Sequence, residues 1–76
     1  MENRIKIKSL QLFGGKLRAI RESKSLSIAE LSAMTKIEIN QLELIESGIY
    51  DPTYTILDEL AKALELTVVE LFNIVE

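Results

Sequence analysis

The sequence contains no cysteine, no histidine and no tryptophan, and it has one proline and three glycines. The absence of cysteine and histidine removes disulfides, thiolate and imidazole metal sites, thiol nucleophiles and the usual general base at neutral pH. We therefore expect that the protein is not an enzyme and that it binds neither a cofactor nor a metal ion. No apolar run approaches the roughly 20 residues that span a bilayer, and Met1 to Lys8 is too polar for a signal peptide. We expect a cytoplasmic protein without membrane contact.

The chain of 76 residues is long enough for one domain with a single core. A core of this size rarely supplies more than about 3 to 5 kcal/mol, and neither disulfides nor metals can supplement it here. Because 47% of the residues are apolar, tight helix packing and self-association are the remaining sources of stability. We expect a homodimer.

The net charge of −3 hides an uneven distribution along the chain. Residues 1–36 contain eight basic and three acidic side chains, whereas residues 37–76 contain Lys62 and nine acids. A basic N-terminal half is suited to contact with phosphate, and the acidic half repels it. Solvated helix faces explain the same charges equally simply, so both interpretations stay open.

The spacing of apolar residues predicts a series of short helices. Positions three and four apart place them at residues 10–24, 28–35, 39–47, 54–64 and from Thr67 onward. Arg4 to Lys8 alternates basic and apolar residues, which suits a strand, an extended arm or a helical turn, so residues 1–9 are treated as an N-terminal arm. Gly14 and Gly15 mark either the start of the first helix or a close packing contact. Residues 10–76 then form one all-α domain.

Local signals fix where several of these helices begin and end. Ser27 with Glu30 and Thr67 with Glu70 match capping boxes at helix N-termini. Gly48 is a natural C-terminal stop, because glycine tolerates a positive φ. The inner face of the second helix is expected to comprise Ala29, Leu31, Ser32 and Met34.

Five short segments follow one another in a specific order. They are Leu17-Arg18-Ala19-Ile20-Arg21, Leu26-Ser27-Ile28-Ala29-Glu30-Leu31-Ser32, Ile45-Glu46-Ser47-Gly48, Asp51-Pro52 and Leu60-Ala61-Lys62-Ala63-Leu64. Together they resemble the Cro and phage-repressor type (XRE-like) helix-turn-helix family over about Phe13 to Phe72. The resemblance implies a five-helix, lambda-repressor-like fold and a sequence-specific DNA-binding transcriptional regulator. Some members of similar length are controller proteins of restriction-modification systems.

The resemblance also implies which residues contact double-stranded DNA. The second and third helices, here Ser27–Met34 and Glu38–Ser47, would form the reading unit of a dimer on a pseudo-palindromic operator, with the third helix in the major groove. The implied DNA-binding residues are Ser27, Ile28, Lys36, Ile39, Asn40, Gln41, Glu43, Leu44, Ser47 and Tyr54. Amides suit adenine, apolar side chains suit the thymine methyl, and a carboxylate accepts from cytosine N4.

The chain departs from the family pattern at two of these positions. Ile28 stands where members often have glutamine, so a polar contact to phosphate is missing, although Ser27 can offer its backbone N–H or its hydroxyl. Lys36 stands where the tight turn usually has glycine, at a cost of about 1 kcal/mol or more for a left-handed conformation. By the same resemblance, Arg21 and Glu46 form a partly buried structural ion pair.

Two further expectations concern partners. Surplus apolar residues near the C-terminus, Phe72, Ile74 and Val75, are the expected dimer interface. The third helix contains no arginine or lysine, which suits phosphate poorly. The alternative is therefore a protein-interaction module that kept the fold and lost the DNA contacts, such as an antagonist of a related regulator. Its apolar patch would comprise Ile28, Ile39 and Leu44, rimmed by Glu38 and Glu43.

Overall fold

The computed structural model describes the backbone of residues 4–72 and the side chains of residues 8–72. Over this part of the chain it has five helices and no strand. They are α1 (Arg4–Ser23), α2 (Ile28–Thr35), α3 (Ile39–Glu46), α4 (Tyr54–Ala63) and α5 (Val68–Phe72). The predicted all-α fold is confirmed, and the predicted bounds of α2, α3 and α4 agree to within one residue.

The start of α1 differs from the prediction. The helix begins at Arg4 rather than near Leu10, so residues 4–9 are its first turns. Of the three conformations left open for Arg4 to Lys8, the structure has the helical one. Arginine and lysine are good helix formers, and no proline or glycine interrupts the segment. A separate role for residues 1–9 stays a prediction.

The core lies where the helices meet, with α1 on α3, α2 on α3 and α4, and α4 on α5. Its members are all apolar and come from every helix, from the turn between α2 and α3 and from the cap residue that follows α4. They are Phe13, Leu17, Leu31, Ile37, Leu42, Ile45, Leu57, Leu60, Ala61, Leu64 and Leu71. Because α2 and α3 both contribute to this core, their relative orientation is held by packing.

The predicted inner face of α2 is only partly correct. Leu31 is fully buried, but Ala29 and Met34 are exposed, and these two predictions are wrong. At 3.6 residues per turn Ala29 lies about 160° round the helix from Leu31, on the outer side. Thr35 takes the core position one turn later. Its hydroxyl donates to the Leu31 carbonyl at 2.9 Å and accepts from the Ile37 N–H at 3.1 Å, which satisfies it inside the core.

Two glycines allow the close contact between α1 and α3. A Cβ atom on Gly14 would collide with the carbonyl oxygens of Ile45 and Glu46, so only glycine fits there. Of the two explanations offered for this glycine, the close packing contact is the one observed. Gly48 has a φ of +79° and stops the helix at the end of α3, as predicted. The backbone of α3 therefore rests directly on α1.

Candidate nucleic-acid interface

The turn between α2 and α3 is short and depends on one left-handed residue. Lys36 has a φ of +66°, and its N–H donates to the Ser32 carbonyl at 2.8 Å, which ends α2. Ile37 then enters the core, and Glu38 is the N-terminal cap residue of α3 with no side-chain capping bond. Lys36 thus adopts the conformation that glycine usually supplies, while its own side chain stays exposed.

A buried ion pair ties this helix-turn-helix unit to α1. The Arg21 guanidinium donates to Glu46 through Nε at 2.7 Å and Nη2 at 3.0 Å, and through Nη1 to the Leu26 carbonyl at 2.9 Å. The two side chains are only 11% and 8% exposed. The hydrogen bonds that Arg21 donates to Glu46 raise the pKa of Arg21 above its ordinary value, against the opposing effect of burial. This bidentate ion pair, with the bond to Leu26, fixes the end of α3 relative to the start of α2.

The outer face of α3 carries the side chains that the sequence assigns to base reading. Leu42 and Ile45 are buried, and Asn40 and Glu43 are exposed on the other side. Ile39 and Leu44 are each 40% exposed, which leaves apolar surface in contact with solvent. Gln41 is half-buried and therefore less accessible than Asn40. The most accessible amide on this helix is therefore that of Asn40.

Ser27 is held by the capping box that the sequence predicts. Its Oγ accepts from the Glu30 N–H at 3.0 Å, and its own N–H donates to Glu30 Oε1 at 2.8 Å. The backbone N–H suggested as a phosphate donor is thus engaged within α2. A hydroxyl that accepts a hydrogen bond still has its proton to donate. The Ser27 hydroxyl can therefore cap the helix and contact a phosphate at the same time.

Ser47 uses its polar groups inside the protein. Its hydroxyl donates to the Glu43 carbonyl at 2.8 Å, and its N–H donates to the same oxygen at 3.0 Å. The N–H of Gly48 donates to the Ile45 carbonyl at 3.0 Å. These bonds could not be anticipated from the sequence, because they depend on how the chain leaves α3. A phosphate contact at this end would have to replace an existing hydrogen bond.

The structure brings only some of the predicted site residues together. Ser27, Ile28, Glu43 and Ser47 line one open depression between α1, α2 and α3, beside the buried ion pair. The others lie on α3, in the turn before it and at the start of α4, where Tyr54 is exposed. The site is consequently a continuous outer face of the helix-turn-helix unit rather than an enclosed pocket.

The charge of this face is unfavourable for nucleic acid. Residues 27–47 contain one lysine, Lys36, and four glutamates, of which Glu46 is paired with Arg21. Arg18 lines the depression but forms a salt bridge with Glu22 at 3.2 Å. Within residues 27–47, attraction to phosphate must therefore come from a few side chains.

The expected dimer interface is described only in part. Phe72 is 47% exposed, and its ring centroid lies 5.2 Å from that of Phe13. Ile74 and Val75 lie outside the described residues. Sequence reasoning missed Val69, which is 68% exposed on the same short helix. In the sequence Val69 lies next to Val68 and near Leu71 and Phe72, and a cluster of apolar residues of this kind is usually expected to be buried.

Neither a membrane-spanning helix nor a cluster of metal-binding side chains occurs among the described residues. None of the described helices is both long enough and apolar enough to cross a bilayer. Within the same part of the chain, histidine, cysteine, aspartate and glutamate form no group of three or more that could hold a metal ion.

Two solved structures share this architecture. The restriction-modification controller protein C.AhdI from Aeromonas hydrophila is 29% identical, with a TM-score of 0.79 over 82% of this chain and 94% of that one. An HTH_3 family transcriptional regulator from Vibrio cholerae is 25% identical, with a TM-score of 0.82 over 88% of this chain and 38% of that one. No curated protein matches the sequence.

The sequence itself identifies the family independently of these structures. Residues 17–71, from the buried part of α1 to the end of the core in α5, match the Helix-turn-helix family. This segment covers most of the chain and contains the turn, the ion pair and the reading face described above. The chain therefore belongs to the Helix-turn-helix family, as its resemblance to Cro and phage-repressor type proteins implied.

Proposed function

We propose that this protein is a sequence-specific DNA-binding transcriptional regulator that inserts α3 into the major groove. The exposed amide of Asn40 on a rigidly anchored third helix is the observation that carries this role. The similarity to a restriction-modification controller protein over 94% of that chain supports a regulator of the same kind. An enzymatic role finds no support, because the family and fold are those of transcriptional regulators.

Phosphate contacts come from a small set of donors around the helix-turn-helix unit. The ammonium of Lys36 and the hydroxyls of Ser27 and Tyr54 are placed on exposed residues. The N–H groups of Ile28 and Ala29 at the start of α2 have no acceptor within the helix and favour an anion, whereas the N–H of Glu30 is capped by Ser27. We expect about two to four neutralised phosphates per subunit, so affinity falls only moderately with salt.

The protein acts as a dimer on two half-sites about one helical turn apart. Phe72 lines a groove of about 220 Å³ between α1, α4 and α5, and Val69, about one turn earlier on α5, exposes further apolar surface. The walls of the groove are largely apolar and include Leu10, Phe13 and Leu57. Burying this surface against a second copy would add apolar contact that a small core lacks. Ile74 and Val75 stay predicted members of the interface.

A salt-dependent selection experiment tests the DNA-binding role. The purified chain is mixed at low ionic strength with a pool of random duplexes, and the retained fraction is sequenced and reselected. We expect a common motif, which the double variant Asn40→Ala/Gln41→Ala should lose while its circular dichroism stays unchanged. Lys36→Gln should weaken binding to all duplexes alike, whereas Lys62→Gln, with the same charge change on α4, should not. Retention of no duplex would contradict the role.

Sedimentation tests the dimer. Val69→Glu and Phe72→Glu should each convert the dimer to a monomer, because a carboxylate cannot be buried unpaired in an apolar interface. Ile49→Glu is the matched control, since Ile49 is exposed in the connection between α3 and α4. A monomeric parent chain, or dimers that survive both substitutions, would exclude this interface.

The acidic charge of residues 27–47 favours one alternative, a protein-interaction module that binds a related regulator. Ile28, Ile39 and Leu44 would then form its apolar contact, rimmed by Glu38 and Glu43. This alternative predicts that Asn40→Ala/Gln41→Ala changes little and that Ile39→Asp abolishes binding of the partner protein. The two functions thus assign opposite importance to the same helix face.

A further inference from the structure

The outer face of α3 has a narrow chemical repertoire. At 3.6 residues per turn Asn40 lies about 160° round the helix from Leu42 and about 140° from Ile45, the two buried residues. It is therefore the residue that points most directly away from the core. Glu43 and Leu44 lie one turn later on either side of the same line. An amide, a carboxylate and an isobutyl group thus form the centre of this face.

Each of these groups suits some base edges and not others. In the major groove guanine presents two acceptors, N7 and O6, and its commonest partner is arginine or lysine. Helix α3 contains neither residue. Adenine presents one acceptor and one donor, which the Asn40 amide matches with two hydrogen bonds. The centre of the face therefore suits adenine better than guanine.

Glu43 adds a repulsive element to this preference. An ionised carboxylate only accepts hydrogen bonds, so it has no favourable contact with guanine N7 and O6 or with thymine O4. It can accept from the amino groups of cytosine and adenine. The exposed position of Glu43 leaves it free to turn toward the bases. Discrimination by an unfavourable contact of this kind excludes wrong partners without adding affinity.

Leu44 and Ile39 supply the apolar half of the reading. Both are 40% exposed, so each keeps apolar surface that water must cover in the free protein. The C5 methyl of thymine is the one apolar group on the major-groove edges of unmodified base pairs. Contact with this methyl would remove both surfaces from water. An adenine read by Asn40 and a thymine read by Leu44 are consistent with one A·T-containing half-site.

We propose that α3 selects half-sites that contain A·T base pairs, with Asn40 reading adenine, Leu44 reading a thymine methyl and Glu43 excluding guanine, but not cytosine, from the strand that it faces. This inference rests on the proposed DNA-binding function and names the class of sequence that it serves. Cationic side chains outside α3, such as Lys36, contact phosphate and contribute equally to all sequences. Specificity and affinity consequently come from different residues.

Thymine replacement provides the direct test. The duplex selected by the full chain is resynthesised with deoxyuridine for thymine at each half-site position in turn, which removes only the methyl group. Binding should weaken about fourfold at the contacted position, the effect of one buried methyl group of about 0.8 kcal/mol. Leu44→Ala should bind thymine and deoxyuridine duplexes equally, while Lys36→Gln should keep the fourfold ratio. Equal binding of both duplexes by the unmodified protein would overturn the assignment.

A substitution at Glu43 tests the rejection of guanine. Glu43→Gln supplies an amide that can donate, so the selected motif should admit guanine at the position facing residue 43. Glu59→Gln removes the same charge from an exposed site on α4 and should leave the motif unchanged. A motif of the unmodified protein that contains no A·T pair, or that has guanine at the position facing residue 43, would overturn this inference while the DNA-binding function stands. Retention of no duplex at all would overturn both.

Discussion

Two junctions between helices have the same local structure in different parts of the chain. The first junction, residues 21–31, joins α1 to α2, and the second junction, residues 61–71, joins α4 to α5. Each contains a non-glycine residue with positive φ, Ser25 at +58° in the first and Glu65 at +62° in the second. In each, the residue after it is a leucine whose N–H returns to a carbonyl five residues earlier.

The capping boxes of the two junctions also agree closely. Ser27 and Thr67 donate their N–H groups to Glu30 and Glu70 at 2.8 Å and 2.9 Å, and each hydroxyl accepts in return at 3.0 Å. Each box precedes a leucine that is fully buried, at positions 31 and 71. Similar local sequence thus produces similar local structure, independently of the surrounding tertiary contacts.

The junctions differ in what surrounds them. The first junction is held by the buried guanidinium of Arg21, whereas the equivalent position in the second is Ala61. After the first cap, α2 presents the small Ala29 to solvent; after the second, α5 presents the large Val69. A shared way of starting a helix therefore serves two surfaces. One joins the helix-turn-helix unit, and the other exposes apolar area on α5.

The largest expected effect on stability comes from Arg21, which holds the first junction and has no counterpart in the second. Arg21→Ala leaves Glu46 buried without its partner, and we expect a loss of about 3 to 5 kcal/mol in the free energy of unfolding. For a chain of this size such a loss approaches the whole stability. Urea denaturation monitored by circular dichroism measures it.

Two variants show that this loss comes from burial of the charge. Arg21→Met/Glu46→Leu removes both charges and should recover most of the stability. Arg18→Ala removes an arginine from the exposed salt bridge with Glu22 and should cost no more than about 1 kcal/mol. Equal stability of Arg21→Ala and Arg18→Ala would refute the role assigned to the buried pair.

The capping boxes should have intermediate and equal effects on stability. Ser27→Ala and Thr67→Ala each remove a hydroxyl that accepts from a helix N–H, and each should cost about 0.5 to 2 kcal/mol. Thermal denaturation measures both. Ser27→Ala should in addition weaken DNA binding well below its melting temperature, and Thr67→Ala should not. A matching loss of DNA binding in Thr67→Ala would show that Ser27 acts only through stability.

The smallest effect concerns the left-handed residues. Ser25→Gly and Glu65→Gly relieve a strain of about 1 to 2 kcal/mol per residue, partly offset by greater freedom of the unfolded chain. We expect each to raise stability by up to about 1 kcal/mol, measured as a higher melting temperature. Ser23→Gly, a matched change at the last residue of α1, where the backbone is still helical, should lower stability instead. A loss of stability in both junction variants would contradict this account of the backbone.

Local signals explain which parts of the fold could be predicted from the sequence. The start of α2 follows from Ser27 and Glu30, and the end of α3 follows from Gly48. These residues act on the backbone within one helical turn. The burial of Thr35 could not be predicted. Its hydroxyl is satisfied by the Ile37 N–H only once the turn has formed.

The candidate site shows the same division. The exposure of Asn40 follows from the helical period once Leu42 is assigned to the core. The exposure of Val69 depends on which segments pack against α5, which no spacing rule contains. Chemistry that depends on one helix was therefore accessible from sequence, and chemistry that depends on several segments was not.

The glycine at position 14 has a consequence for how α3 is aimed. Because no side chain separates α1 from the carbonyl groups of Ile45 and Glu46, main-chain atoms determine the distance between these two helices. Main-chain atoms have no alternative rotamers, so this spacing cannot adjust as a side-chain contact can. The orientation of α3 is thus set by that of α1. A movement that tilts one of these helices should tilt the other with it.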